Sequence, residues 1–394
     1  MSLYRALGAV ILVAALALAP TADAQRRRAR VPRAPPPPAV AQHVTIMDAA
    51  SGAILACNDC ETPIPPASMA KLMTVLVVLD RLRAGDITYQ TRFRVSEYAW
   101  REHGAMSGGS HMFLPINATA TVGDLIQGAV VVSANDACVV LAEGIAGSEA
   151  AFAELMNRRA RELGLRSAHF TNVTGVDDPQ QRISSADLAR LTRHIIATYP
   201  DFYRVYARRE FTFNNRMQMN RNPLLGAFPG ADGVKTGHTD ESGYGLVGSA
   251  VQNGQRRIIV FNGLPTMAAR TSEALRLMRS AFNDFNMITV ARAGEQVGEA
   301  RVRLGSRRNV PLVAQRDIVI GGSRGAQSGM RAHIVYEGPL DPPIQEGEVV
   351  ARLVLEGPNF PAQEYPLTAG RRVGRANWFA RAFEGLRLTF FGPS

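Results

Sequence analysis

Apolar and polar positions alternate in twos over 43–56 and are interrupted by Ala49-Ala50-Ser51-Gly52, a pattern that predicts a β-hairpin. From Ala67 to Leu82 the apolar residues return at helical spacing, with Ser68 at or just inside the start of that helix. The same period covers 122–133, 137–145, 149–163 and 185–198. Residues 234–236, 245–251 and 257–264 then read as consecutive strands, and 268–285 as a helix. Strand pair, helices, strands, helix is the order of an α+β domain whose antiparallel sheet is covered by helices. After Met287 the pattern changes to short alternating segments at 300–304, 317–320, 332–336 and 349–355, broken by Gly and Pro. These predict a small all-β domain, a sandwich that serves as spacer or docking module, since it carries no recognisable catalytic group set.

Both ends depart from this globular pattern. Arg5, an apolar run from Ala6 to Ala19, Pro20 and the small-residue site Ala22-Asp23-Ala24 have the three-part layout of a secretory signal, with cleavage expected after Ala24. Residues 25–40 hold five arginines and a run of prolines and are expected to form an extended linker. At the other end Trp378, Phe379, Ala382, Phe383, Leu386 and Phe390 share one helical face, opposite Arg381, Glu384 and Arg387. Such a helix lies in a membrane interface, where Arg371, Arg372 and Arg375 suit anionic lipid. The expected organisation is therefore signal 1–24, linker 25–40, main domain 41–287, β domain 288–369 and membrane-anchoring segment 370–394.

Composition sharpens three points. A chain of 394 residues with 46% hydrophobic and 20% charged positions has an ordinary globular make-up, which excludes a disordered or disulfide-dense scaffold. The formal charge of +10 suggests nucleic acid until it is located: +5 falls in 1–38 and +4 in 370–394, leaving +1 for the body. No basic groove, and so no nucleic-acid partner, is expected in the folded part. Of the 44 basic residues only Lys71 and Lys235 are lysines, and because arginine cannot lose its proton, two lysines kept in such a background point to amine chemistry. Of the three cysteines, Cys57 and Cys60 can close a local disulfide in an oxidising compartment, and they are too few for zinc. No metal or organic cofactor is implied, and there is no glycine-rich phosphate loop.

Both lysines lie in short motifs, Ser68-Met69-Ala70-Lys71 and Lys235-Thr236-Gly237-His238, with Ser133-Ala134-Asn135 between them. This ordered triplet is that of serine acyl-transfer enzymes that react with penicillin. The chemistry asks for these types. A serine hydroxyl needs a base, and Lys71, one helical turn on, lies on the same face as Ser68. Burial and the neighbouring charge of Lys235 would lower the Lys71 pKa enough for it to serve. The Ser133 hydroxyl can relay a proton to a leaving amine, and the Asn135 amide can hold Lys71 or a peptide carbonyl. Lys235 supplies positive charge, Thr236 can bind a terminal carboxylate, and Gly237 admits the substrate close to the backbone.

On these motifs, and on the runs Pro66 to Thr74, Ser133 to Ala137 and Gly233 to Thr239, the sequence resembles the D-alanyl-D-alanine carboxypeptidases among the low-molecular-mass penicillin-binding proteins. The β-rich second domain and amphipathic end fit that layout. Two departures are the Arg/Pro linker and Ala134, where relatives often carry Gly or Asp. The resemblance implies a serine DD-carboxypeptidase that removes the terminal D-alanine from peptidoglycan stem peptides through an acyl-enzyme on Ser68. It implies inhibition by β-lactams and a site outside the cytoplasmic membrane, which the terminal helix would reach. It also implies an oxyanion hole from the backbone N–H groups of Ser68 and His238, a carboxylate-receiving Arg270, and Asp177 in a loop beneath the site where it assists hydrolysis. Alternatives are a DD-endopeptidase, a β-lactamase, for which no glutamate–water device is evident, and a non-catalytic cell-wall binding protein.

Overall fold

The computed structural model describes residues 40–323, 331–357 and 360–376. The expected signal segment, the linker up to residue 39 and the amphipathic face beyond residue 376 lie outside the described residues. The predicted hairpin forms as β1 (Val44–Asp48) and β2 (Ile54–Asn58). A 3-10 turn, Ala67–Ala70, leads into α1 (Lys71–Ala84). There follow β3 (Arg92–Arg94), α2 (Glu97–His103), β4 (Thr119–Thr121), α3 (Val122–Gln127), a π-helical turn Gly128–Val132, α4 (Asn135–Ala146), α5 (Glu149–Glu162), α6 (Ser185–Thr198) and α7 (Pro200–Tyr203). A short ribbon, β5 (Glu210–Phe213) with β6 (Arg216–Met219), precedes the long strands β7 (Ala231–Thr239), β8 (Gly243–Gln252) and β9 (Gln255–Leu264) and the helix α8 (Met267–Asn283).

The main sheet is antiparallel in the order β2-β1-β9-β8-β7, so the chain's first hairpin joins its last three strands. Its inner strands β1 and β9 are buried on both faces, since both faces of the sheet are covered there. Met47, Ile258 and Val260 pack with Leu72, Leu76 and Ile195 of α1 and α6. Their alternate neighbours Ile46, Ile259 and Phe261 pack with Ala274, Leu277 and Met278 of α8. The period of two along β1 and β9 thus assigns each side chain to one of two cores. Asp48 and Arg257, paired across β1 and β9, form a buried ion pair, and Arg257 also donates from Nε to the Ala281 carbonyl. Cys57 and Cys60 are disulfide-bonded at the end of β2, and the Cys60 carbonyl accepts from Ala186 N at 2.9 Å and Ser185 Oγ at 3.1 Å at the start of α6.

The remaining strands are β10 (Phe285–Ala291), β11 (Gln296–Arg301), β12 (Asn309–Ala314), β13 (Ile318–Ser323), β14 (Arg331–Val335), β15 (Val349–Gly357) and β16 (Phe360–Ala369). They form a sheet ordered β11-β12-β16-β15-β14 and a β10-β13 pair around Val310, Leu312, Ile320, Leu353 and Leu367. This is the expected all-β domain. The strand expected to reach residue 304 ends at Arg301, because Leu304 adopts φ +55 in a turn. Strands β12 and β16 escape the sequence pattern because Pro311 and Pro366 within them read as punctuation. The segment expected to leave the domain at residue 370 stays in it through Arg375. Val373 is fully buried and exchanges backbone hydrogen bonds with Ile344, and Arg375 bridges to Gly305. Among the described residues, no helix is long and apolar enough to cross a membrane.

Candidate active site

The turn that carries Ser68 is tighter than the α-helix the pattern predicts. In a 3-10 turn residues three apart eclipse one another, which stacks Lys71 directly on Ser68. The Lys71 Nζ lies 2.8 Å from Ser68 Oγ and donates to the Thr174 carbonyl at 2.5 Å. Ala67, in the left-handed region at φ +47, begins the turn. Two glycines press on it from outside the helix. A Cβ on Gly175 would lie 1.9 Å from the Ala67 carbonyl oxygen, and Gly175 itself needs φ +84. A Cβ on Gly237 would lie 3.0 Å from the Pro66 carbonyl oxygen and 3.1 Å from Met69 Cγ. The close approach that Gly237 permits is therefore that of the serine turn against β7, in addition to its place in the cleft wall.

The opposite wall is made by the π-helical turn, which widens the helix before Ser133 and leaves that residue at φ +65. Strain of this kind in a non-glycine residue costs about 1–3 kcal/mol and is kept where surrounding structure enforces it. Ala134 N donates to the Gly128 carbonyl and Asn135 N to the Ser110 carbonyl at 2.7 Å, fixing the crossing into α4. The next residue, Asp136, is fully buried and accepts from the backbone N–H groups of Met112, Leu114 and Ala137, which ties the 110–114 segment to the helix start. Burial raises its carboxyl pKa.

Between these walls lies a cleft of about 360 Å³. Ser68, Ser133, Asn135, Thr236, Gly237, His238 and Arg270 all line it, and the two lysines are buried beside it. The exposed His238 ring packs on Tyr244, with centroids 3.8 Å apart, and finds no carboxylate to orient it among its described contacts. Asp177 is not in the lining. The left-handed bend at Gly175 carries the chain outward, so Val176 and Asp177 are exposed, and what lies against the serine is the backbone of Thr174 and Gly175. That loop is closed by side chains, with the Asn172 amide oxygen accepting from Thr174 N and Gly175 N.

Arg221 carries no sequence signal, because nothing distinguishes it among 42 arginines. In the structure it lines the cleft and donates to Ser110 Oγ at 2.7 Å and the Val132 carbonyl at 2.9 Å. Arg270 is 3% exposed, sits over the Tyr244 ring at 5.5 Å, and has no protein partner for its Nε among the described residues. Ser133 Oγ is likewise buried and unpartnered there. Buried polar atoms of this kind call for a ligand or water.

Four basic groups thus converge with one buried carboxylate, Asp136, near them. The Lys71 pKa is lowered to about 8, mainly by burial and in smaller part by Arg221, against the opposing pull of Cys138 and Asp136. Burial also holds Lys235 well below the ordinary lysine range, and repulsion from Lys71, Arg221 and Arg270 adds to it. A charged Lys71 therefore makes a proton on Lys235 costlier to hold. Burial lowers both guanidinium groups as well. Such an end of the cleft attracts a small carboxylate. We expect Arg270→Ala to lower kcat/KM about tenfold for a peptide with a free C-terminal carboxylate, since Arg221 retains part of the field. Steady-state comparison with the C-terminal amide checks this, and equal losses on both peptides would count against a carboxylate-receiving Arg270.

A hydroxyl beside a buried amine of reduced basicity, facing a cationic pocket, is the equipment of a serine hydrolase that works through an acyl-enzyme, and fold and cleft together define that class. Comparison with known proteins narrows it. Residues 30–266 match the D-alanyl-D-alanine carboxypeptidase family and 285–379 match the C-terminal domain of penicillin-binding protein 5. The D-alanyl-D-alanine carboxypeptidase DacA of Haemophilus influenzae is 37% identical over 360 residues, covering 91% of each chain. The solved structure of penicillin-binding protein 5 from Haemophilus influenzae superimposes with a TM-score of 0.71 at 36% identity, over 87% of this chain and 100% of that one. Penicillin-binding protein 6B of Escherichia coli gives 0.63 at 31% identity, over 85% and 97%. The chain belongs to the D-alanyl-D-alanine carboxypeptidase family of serine hydrolases.

Proposed function

We propose that the protein removes the terminal D-alanine from peptidoglycan stem peptides through an acyl-enzyme on Ser68. The observation that carries this reading is the 2.8 Å contact between Ser68 Oγ and a fully buried Lys71 amine whose pKa falls to about 8. Neutral Lys71 takes the Ser68 proton as Oγ bonds to the penultimate D-Ala carbonyl carbon. The developing oxyanion is received by the backbone N–H groups of Ser68 and His238. The C–N bond then breaks, Ser133 relays a proton to the departing amine, and D-alanine leaves. Asn135 holds the acyl-side peptide. Lys235, Thr236 and Arg270 hold the terminal carboxylate, with Arg221 beside them. Water then adds to the ester carbonyl carbon, the bond to Ser68 Oγ breaks, Oγ takes back a proton, and the shortened peptide leaves as its acid. Penicillins acylate the same serine and clear slowly.

The signal-like N-terminus and the amphipathic 377–394 segment support a periplasmic enzyme held at the outer face of the cytoplasmic membrane. The decisive test is product analysis. A monomeric pentapeptide is expected to release one D-alanine, and penicillin treatment is expected to add one adduct mass that maps to Ser68. Cleavage of a cross-linked dimer without D-alanine release would replace this reading with an endopeptidase, and an adduct on another residue would remove Ser68 from it.

A further inference from the structure

Of the two adjacent glutamines at 180 and 181, the first is exposed and the second is 1% exposed. A buried amide needs partners for both of its ends, and Gln181 finds them in one loop. Its Oε1 accepts from Thr171 N at 3.0 Å and from Asn172 N at 2.9 Å, and its Nε2 donates to Asn172 Oδ1 at 3.1 Å. The reverse orientation would set the Gln181 NH2 group against two N–H donors, so the network itself fixes which end is which. Asn172 Oδ1 accepts in addition from Thr174 N at 3.2 Å and Gly175 N at 2.8 Å, and Asn172 Nδ2 donates to the Val176 carbonyl at 3.1 Å. Val173, in the middle of this stretch, is held from outside by Glu149, which accepts from its N–H at 3.1 Å, and by Thr74, which donates to its carbonyl at 2.7 Å.

The carbonyl that this knot presents to the site is that of Thr174, which accepts from Lys71 Nζ at 2.5 Å. A neutral amine has two N–H bonds and one lone pair. With one N–H held by the Thr174 carbonyl, rotation about the Cε–Nζ bond is restricted, and the lone pair can be kept on the Ser68 hydroxyl 2.8 Å away. The same carbonyl binds an ammonium more strongly than an amine, so it holds the Lys71 pKa up against burial. Loss of the contact would therefore make the amine neutral at lower pH and yet worse aimed. Neither Gln181 nor Asn172 lines the cleft, and neither carries a charge. The titratable and charged groups around Lys71 are Asp136 and Cys138 of α4, Arg221, Lys235 of β7 and His103 at the end of α2, and a neutral substitution at 181 leaves all of them in place.

We propose that Gln181 is a positioning residue for acylation: through Asn172 it fixes the Thr174 carbonyl, and that carbonyl turns the Lys71 lone pair toward the Ser68 hydroxyl. This role rests on the acyl-enzyme reading above and deepens it.

Stopped-flow acylation by penicillin, followed across pH on the full chain, tests it. The wild-type rate is expected to reach its plateau above a midpoint near pH 8. Gln181→Met keeps the length of the side chain and loses both kinds of hydrogen bond. Its plateau is expected to fall about thirtyfold while its midpoint moves down by about half a unit, so that the base is free at lower pH and nevertheless slower. Gln181→Asn, with both kinds of atom on a stem one carbon shorter, is expected to fold and to show the same two changes at smaller size, and it decides the matter should the Met variant not fold. A purely structural role would lower the melting temperature and leave the midpoint where it is. An unchanged plateau and midpoint in the Gln181 variants, or a slower plateau at an unmoved or raised midpoint, would overturn the positioning role and leave the carboxypeptidase reading standing. A wild type that takes no penicillin on Ser68 would overturn both.

Discussion

Lys71→Arg should acylate with penicillin about a thousandfold more slowly than the wild type, although the variant keeps a positive charge and several hydrogen-bond donors. The loss follows from the one property arginine lacks. A guanidinium does not give up its proton in this pH range, so Ser68 would face a permanent donor where it needs an acceptor, and a positioned base is worth roughly 10²–10⁴ in rate. Stopped-flow acylation of the purified variant reads this directly, and an Arg variant retaining a tenth of the native rate would remove Lys71 from the role of base. The pH profile carries the same information. With the Lys71 pKa near 8, the wild-type acylation rate should climb about tenfold per unit as pH rises toward 8 and then level off.

Stability follows with a definite sign. The folded pKa of about 8 lies below the model-compound value of 10.5, so between these limits the unfolded chain binds more protons than the folded one. Stability therefore rises with pH across that window, and the contribution is lost as pH falls back through 8. Lys235 acts in the same direction. Lys71→Met, which removes the buried amine, should show a flatter dependence between pH 8 and 10.5 by chemical denaturation.

The second large effect is expected at a residue with no side chain. Gly175→Ala should slow acylation about a hundredfold and lower the melting temperature by several degrees. Its Cβ would stand 1.9 Å from the Ala67 carbonyl oxygen, a backbone atom that cannot swing aside, and alanine tolerates φ +84 poorly. The loop must move as a unit, and with it the Thr174 carbonyl that receives Lys71. A displacement of about 1 Å at a reacting pair costs on the order of a hundredfold. Acylation kinetics with parallel calorimetry separate the two losses. A variant that acylates normally, whatever its melting temperature, would mean that the loop does not set the Ser68–Lys71 geometry.

What could be seen in advance depended on rarity and period. Lys71 and Lys235 stood out because a chain with 42 arginines retains only two lysines, and the serine and Thr-Gly beside them completed a pattern. The helices 185–198 and 149–163 were visible because their buried faces repeat at 3.6 residues. Arg221 was invisible for the converse reason, as one arginine among many, and Tyr244 sits in a strand where an aromatic residue is ordinary. Thr174 contributes a carbonyl, which no sequence pattern encodes. The resemblance implies Asp177 beneath the site, yet the carboxylate is exposed and the backbone two to three residues earlier lies against the serine turn. Pro311 and Pro366 concealed two strands that long-range pairing supports.

The serine turn is gripped by main chain at Gly175 on one side and Gly237 on the other. A nucleophile located this way draws its coordinates from peptide units, which mutation of neighbouring side chains changes little, while either glycine tolerates almost no replacement. Changes in what the enzyme accepts are therefore expected to come more easily at the rim, at positions such as 244 and 267, which line the cleft. An inhibitor that addresses only the serine turn would meet a target whose two bracing glycines leave little room for escape by substitution.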